Sequence, residues 1–224
     1  MDQVHSRGAL IIATHEYVKA YMAQYDSSHD YQHILRVLSL AQQILAAETA
    51  TSTGEQLYNP TLVTLLALLH DVGDKKYSGA DQERTGAFGP AEEFLLTAGC
   101  DPALATTIQK LINNVSYSHE RANPEVVAEM CKAHPELKVV QDADRLDAIG
   151  AVGVGRAFTF GAAKRPGEGM GGVIDHFEDK LLKLEGGMKT AEGKRLAKVR
   201  AERIRVFREW WVEETEGVKE VMIV

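Results

Sequence analysis

The sequence predicts an all-α fold. Apolar residues recur at helical spacing through most of the chain, alternating strand-like runs flanked by turns are nearly absent, and the most apolar segment is bracketed by helix start and stop residues. A first helix is expected over Ala9 to Tyr25. A second begins near Asp30, turns Ile34, Val37, Leu38, Ala41, Ile44 and Leu45 toward the core, and ends by about Gly54 after the TSTG stretch. The third has the clearest punctuation: Asn59 as N-cap, Pro60 in the first helical position, an apolar run from Leu62 to Leu69, and Gly73 as the stop. Such a run reads as buried on all sides. Further helices are expected near Pro90 to Ala98, Pro102 to Val115, Pro124 to Lys132 and Leu137 to Ile149. The segment Gly161 to Gly172 (GAAKRPGEGMGG) holds five glycines in twelve residues and reads as a mobile loop. A shorter helix near Val173 to Leu184 and a long one over Thr190 to Glu214 complete the order. In the last, Leu196, Val199, Arg203, Val206, Phe207 and Trp210 share a face expected to pack on the body, the arginine stem snorkelling.

Composition narrows the functional classes. With 224 residues, the chain can bury a core without disulfides or a structural metal, so a metal here would serve chemistry. Cys100 and Cys131 are the only cysteines and form no CxxC pair, which argues against a thiolate zinc site or a disulfide framework and fits a reducing cytosol. The protein is expected to be cytoplasmic, without export signal or membrane span, because no apolar run nears the length of a span. A net charge of −7 argues against stable nucleic-acid binding, which needs a basic surface. The basic stretch from Lys189 to Arg208, with Glu192 and Glu202 as its acidic residues, reads as a solvated helix face.

The residues that carry chemistry lie at three places. LLALLHDVGD sets His70 and Asp71 at the end of the oily third helix, where a polar pair buried without partners would be costly. A divalent cation partners both at once, since imidazole and carboxylate suit Mn²⁺, Fe²⁺, Co²⁺, Ni²⁺ or Zn²⁺. The dipeptide alone is weak, because composition predicts about 0.4 His-Asp pairs per chain of this make-up. A second one stands at His29-Asp30. In HDYQHILRV, His33, Arg36 and Val37 fall on one side of the second helix. In VVQDADRLDAIGA, Asp142, Asp144 and Asp147 are embedded among Val139, Val140, Leu146 and Ile149, which a solvated face would not carry. Asp144 and Asp147 lie on neighbouring ridges while Asp142 points elsewhere, so one carboxylate can bind metal as another orients a ligand or an arginine.

In the order and spacing of these residues, over roughly Tyr31 to Gly155, the sequence resembles the HD-domain phosphohydrolases. Their pattern is a histidine before RV, an HD pair closing a buried helix, and a later aspartate. The resemblance implies an HD-domain helical bundle forming a single domain over residues 1–224, with a core of about 26–160 and C-terminal helices 173–216 packed on it. It makes His33, His70, Asp71 and Asp144 the ligands of a divalent ion, Mn²⁺ foremost and Mg²⁺, Co²⁺, Ni²⁺, Fe²⁺ or Zn²⁺ compatible. Asp144 is preferred to Asp142 because Arg145-Leu146 follows it. The run QDADRLDAIGAVGVGRAF and the glycine-rich segment after it resemble a subgroup of small HD proteins, some of which hydrolyse nucleoside triphosphates to monophosphate and pyrophosphate.

The expected partner is therefore a small phosphorylated molecule, a nucleotide, attacked by a metal-activated water. Arg145, Lys75, Lys164 and Arg165 are candidates to neutralise phosphate charge, the last two on a glycine-rich lid. Asp74, His29 and His119 are candidate proton donors, and His119 is alternatively a substrate contact or a ligand of a second metal. Within the same superfamily a nucleoside 5′-monophosphatase or phosphodiesterase is the alternative. From another class, the alternative is a non-catalytic metal- or nucleotide-binding sensor.

Overall fold

A computed structural model describes residues 2–25, 30–51, 58–73 and 88–217, with the backbone alone for residues 2–6. Among these residues the chain is helical and contains no strand, as the periodicity requires. The chain divides into two compact units, residues 1–144 and 145–224.

The first unit holds α1 (Asp2–Met22), α2 (Tyr31–Thr51), α3 (Pro60–Leu69), α4 (Pro90–Thr97), α5 (Pro102–Ile112), α6 (Tyr117–Ala122), α7 (Pro124–Ala133) and most of α8 (Glu136–Asp147). α3 is its centre and packs against α1, α2 and α5. The capping read from the sequence is present: Asn59 Oδ1 accepts from the backbone N–H of Thr61 and Leu62 at 3.1 and 3.3 Å, and Pro60 occupies the first turn. Leu65 to Leu69 are wholly buried. At roughly 1.5–3 kcal/mol for each large aliphatic side chain, this burial fixes α3 in depth and rotation. The start of α3 is also tied to α8, since Glu136 Oε1 accepts from Asn59 N at 2.8 Å. Gln141 on α8 donates to the carbonyl of Asn114 at 2.7 Å. α8 therefore sits at a set height beside the core, although its sequence average is polar.

Two boundaries differ from expectation. α1 starts at Asp2, several residues earlier than its apolar pattern suggested, and runs through Gly8, since a single glycine weakens a helix without ending it. His119 falls on α6, a short helix the sequence pattern did not reveal, since its six residues are too few to show a period.

The second unit opens with the last residues of α8 and continues through α9 (Gly150–Lys164), α10 (Gly169–His176) and α11 (Ala191–Thr215). The expected mobile loop over Gly161 to Gly172 is not what forms. α9 runs through to Lys164, Pro166–Glu168 make a 3-10 turn, and α10 begins at Gly169. Gly161 is there for packing: a Cβ on it would stand 2.5 Å from Val173 Cγ2. The helix expected near Val173 to Leu184 is three pieces, the end of α10, a π-helical turn Phe177–Leu181 and a 3-10 turn Leu182–Gly187.

α11 packs on α9, but not by the face expected. Gly193, Ala197, Ala201 and Ile204 are buried, while Val199 and Trp210 are 46% and 57% exposed. Small residues let two helices approach closely, and a pattern of large apolar residues does not register them. Phe207 and Trp211 instead join an aromatic cluster with Phe158 and Phe177, ring centroids about 6 Å apart. Among the described residues no helix is long and apolar enough to cross a membrane.

Two outcomes follow from local geometry. Gly73 has φ +83° and a Cβ there would meet Pro90 Cγ at 2.7 Å, so Gly73→Ala is expected to cost roughly 1–3 kcal/mol in urea unfolding. His176 is held below its ordinary pKa by burial first, then by Lys180 and Arg165, against Asp179 and Glu168. The folded state therefore prefers neutral His176, and its contribution is intact above about pH 6.5 and lost as pH falls through that value, where the unfolded chain takes up a proton. Thermal melts between pH 7.5 and 5.5 should show a smaller loss in His176→Gln than in the wild type.

Candidate metal centre

Three helix ends converge in the first unit. His33 lies in the opening turn of α2, where its backbone N–H is received by the side chain of Asp30 at 3.1 Å. The Asp of the second His-Asp pair is thus an N-cap, a local role that explains why the dipeptide occurs twice. His70 is the C-cap of α3, and Asp71 follows in the turn closed by Val72 N to Leu69 O at 2.9 Å. Asp144 lies on α8, whose height is set by Gln141 and Glu136.

His33 and His70 are 1% and 5% exposed, and their Nε2 atoms stand 3.2 Å apart. His70 Nδ1 lies 2.8 Å from the carbonyl of Ala67. A carbonyl can only accept, so Nδ1 carries the proton and Nε2 keeps its lone pair, which points at His33. Asp71 reaches His33 Nε2 at 3.3 Å and His70 Nε2 at 3.5 Å, and Asp144 Oδ1 reaches the same two nitrogens at 3.6 and 3.8 Å. The donor atoms of His33, His70 and Asp71 all lie within 4.8 Å of one another, a cluster able to hold a metal ion.

The donors fit a single divalent cation on geometry and on chemistry. Ligand atoms about 2.0–2.2 Å from a common centre stand roughly 2.8–3.6 Å from each other at octahedral to tetrahedral angles. The observed 3.2 to 3.6 Å separations fall in that range, with the longest contact, 3.8 Å, just beyond it. An imidazole whose far nitrogen donates to a backbone carbonyl is the usual outer partner arrangement of a metal-bound histidine.

The other carboxylates of α8 do different work. Asp142 is fully buried and points away from Asp144, as two residues on a helix must. Burial first, then Glu48 and Glu136, hold the Tyr58 hydroxyl above its ordinary pKa, and the Asp142 carboxylate adds to them. Asp147 is also buried and accepts from Arg156 Nη1 at 2.9 Å. A carboxylate beside an arginine was foreseeable from the spacing of the three aspartates; which arginine was not, because Arg156 sits on the next helix.

Arg145 is buried and its Nη1 donates to the carbonyl of Gly187 at 3.1 Å. His119 is half-buried on α6, its Nδ1 3.5 Å from Asn123 Nδ2. Lys164 is exposed at the end of α9, and the half-buried Arg165 pairs with Glu168 at 3.0 Å and lies over the Phe160 ring. His29, Asp74, Lys75 and Lys76 lie outside the described residues. Sequence reasoning missed Tyr21, whose hydroxyl accepts from the backbone N–H of Gly73 at 3.0 Å, two residues past Asp71.

Comparison with known proteins identifies the family. The HD domain family model matches residues 30–149, which contain all four converging side chains. The Bacillus subtilis protein YpgQ is 35% identical over 188 residues, covering 82% of this chain and 83% of its own. The crystal structure of YpgQ in complex with ADP superposes with a TM-score of 0.69 at 28% identity, over 96% of this chain and 99% of that one. A Lactobacillus plantarum protein gives a TM-score of 0.72 at 28% identity, covering 92% and 97%. An HD-superfamily hydrolase from Bacillus thuringiensis gives 0.57 at 27% identity, covering 94% and 98%.

Calorimetric titration of metal-stripped protein with Mn²⁺ checks the centre. Affinity should fall by more than about tenfold in His33→Ala and in Asp144→Asn and stay close to wild type in Asp142→Asn. Equal losses in the two aspartate variants would remove Asp144 from the ligand set.

Proposed function

Because the chain belongs to the HD domain family, we propose that it is a metal-dependent phosphohydrolase acting on nucleotides, cleaving (deoxy)nucleoside triphosphates to monophosphate and pyrophosphate. The observation that carries the reading is the cluster of two imidazole nitrogens and the Asp71 carboxylate, with the Asp144 carboxylate beside them. YpgQ, similar along nearly the whole chain, has been crystallised with ADP, which supports a nucleotide as the phosphorylated partner.

His33, His70, Asp71 and Asp144 would hold a divalent ion, with Mn²⁺ best suited to a mixed nitrogen and oxygen set that keeps open positions. When bound, the ion supplies Lewis acidity toward phosphoryl oxygens and toward water. The residues of the chain do the rest. The Ala67 carbonyl keeps a proton of His70 on Nδ1, so that in the neutral ring Nε2 is the nitrogen that would meet the ion. Asp71 and Asp144 would balance the double charge of the ion, which leaves the negative charge of the phosphates to the basic side chains. Asp74 and His29, near in sequence to Asp71 and His33, are the groups assigned to the leaving-group proton. Lys75, Arg145, Lys164 and Arg165 are assigned to phosphate charge, with His119 as a further contact.

The purified protein, given Mn²⁺, Mg²⁺, Co²⁺ or Ni²⁺ and a nucleotide panel, is expected to release pyrophosphate from triphosphates, read separately from orthophosphate. The doubly substituted His70→Ala/Asp71→Ala protein should lose at least about 10³-fold in turnover. Orthophosphate released from monophosphates would instead indicate a 5′-monophosphatase, and nucleotide binding without turnover a sensor.

A further inference from the structure

Three tyrosines of the first helical stretch form a ladder that leads to the metal centre. Tyr17, Tyr21 and Tyr25 are spaced i, i+4, i+8, with ring centroids 6.0 and 5.7 Å apart. At the far end Tyr17 lies flat on Phe94 of α4, centroids 4.0 Å apart and planes 9° from parallel. In the middle the Tyr21 hydroxyl is pinned by the backbone N–H of Gly73. Gly73 stands at φ +83° in a place beside Pro90 that a Cβ would not fit. Gly73 is two residues past Asp71, so its bond ties the Tyr21 hydroxyl to the turn that carries a metal-ligand candidate. Tyr21 and Tyr25 are half-buried, and both present aromatic surface to solvent.

From this geometry we propose that the Tyr21–Tyr25 end of the ladder is the nucleobase platform of the site, with Tyr25 the stacking ring and Tyr21 its positioning residue. The proposal rests on the nucleotide reading above and deepens it. A base is uncharged, planar and polarisable, and phenol rings take one by stacking whatever its identity. The phosphates need the opposite environment, the field of the cation. A row of aromatics tied to the turn that carries Asp71 offers the first environment close to the second. Stacking also predicts weak discrimination among bases, since every base has a π-face. The ladder is anchored at Phe94, Pro90 and Gly73, so little conformational freedom remains to be lost when a base arrives.

Binding of ADP and of inorganic pyrophosphate, each with Mn²⁺ and read by calorimetry, separates the platform from the phosphate site. Wild-type protein is expected to hold ADP more tightly than pyrophosphate. Tyr25→Leu should weaken ADP by roughly tenfold while leaving pyrophosphate unchanged, and Tyr25→Phe should restore ADP binding. Tyr21→Phe, which loses the bond to Gly73 but keeps the ring, should give an intermediate loss for ADP alone. Thermal melts of the same variants identify any that fail to fold, and Tyr25→Leu keeps apolar bulk for that reason. Equal weakening of both probes, an unchanged ADP affinity in Tyr25→Leu, or wild-type protein that holds ADP no better than pyrophosphate each overturns the platform. ADP binding that follows this pattern in a protein that hydrolyses no nucleotide overturns the phosphohydrolase reading and leaves the platform standing.

Discussion

Two imidazole nitrogens facing each other at 3.2 Å inside a helical core are the constraint around which the first unit is arranged. Two imidazole nitrogens and two carboxylates gathered at that distance have been taken from water into a medium that screens poorly, which is costly unless they share a partner. A divalent cation turns each of these costs into a bond. Everything that holds the four side chains together without the ion must therefore come from the scaffold: the apolar body of α3, the Asp30 cap on α2, and the hydrogen bonds of Gln141 and Glu136 that hold α8 in place. This division of labour explains why so much burial is concentrated in a helix of ten residues. α3 is less a structural element with a site at its end than a rigid post for His70.

The polar residues of α8 illustrate how a helix can be deeply buried while reading as hydrophilic. Gln141, Asp142, Arg145 and Asp147 are each buried, and those whose contacts are set out above meet specific partners: a carbonyl for Gln141, another for Arg145, a guanidinium for Asp147. A buried pair of this kind adds little net stability compared with an apolar pair, but removing one member leaves an uncompensated charge. Its contribution is to position. In the first unit the bonds of Glu136 and Gln141 hold α8 against sliding and rotation, and Asp144 shares that rigidity.

How much of this was legible in the sequence differs by element, for physical reasons. The N-cap and first-turn proline of α3 were readable because both act locally, on bonds within four residues. The grouping of His33, His70 and Asp71 was readable through the resemblance of their order and spacing to HD-domain proteins, whereas residue types alone left Asp142 and Asp144 open. The packed face of α11 was not, because Gly193, Ala197 and Ala201 are buried for being small, and hydrophobicity patterns weigh large side chains. The glycine-rich segment misled in the same way: Gly161 makes room for Val173 rather than for motion. The Tyr21 bond to Gly73 joins residues 52 positions apart and leaves no local trace, although the i, i+4, i+8 spacing of the three tyrosines is visible once the contact is known. Long-range contacts that depend on one hydroxyl are the kind of fact that periodicity cannot carry.

The proton on His70 Nδ1 is received by the backbone of Ala67, not by a side chain. Where an aspartate or glutamate plays that part, a single nucleotide change can abolish it. Here the acceptor is a peptide oxygen that every residue type possesses, freed by the ending of a helix. Drift at position 67 can alter packing but not the tautomer of the ligand, so the centre's most delicate electronic requirement is inherited from the fold and is indifferent to most mutations around it.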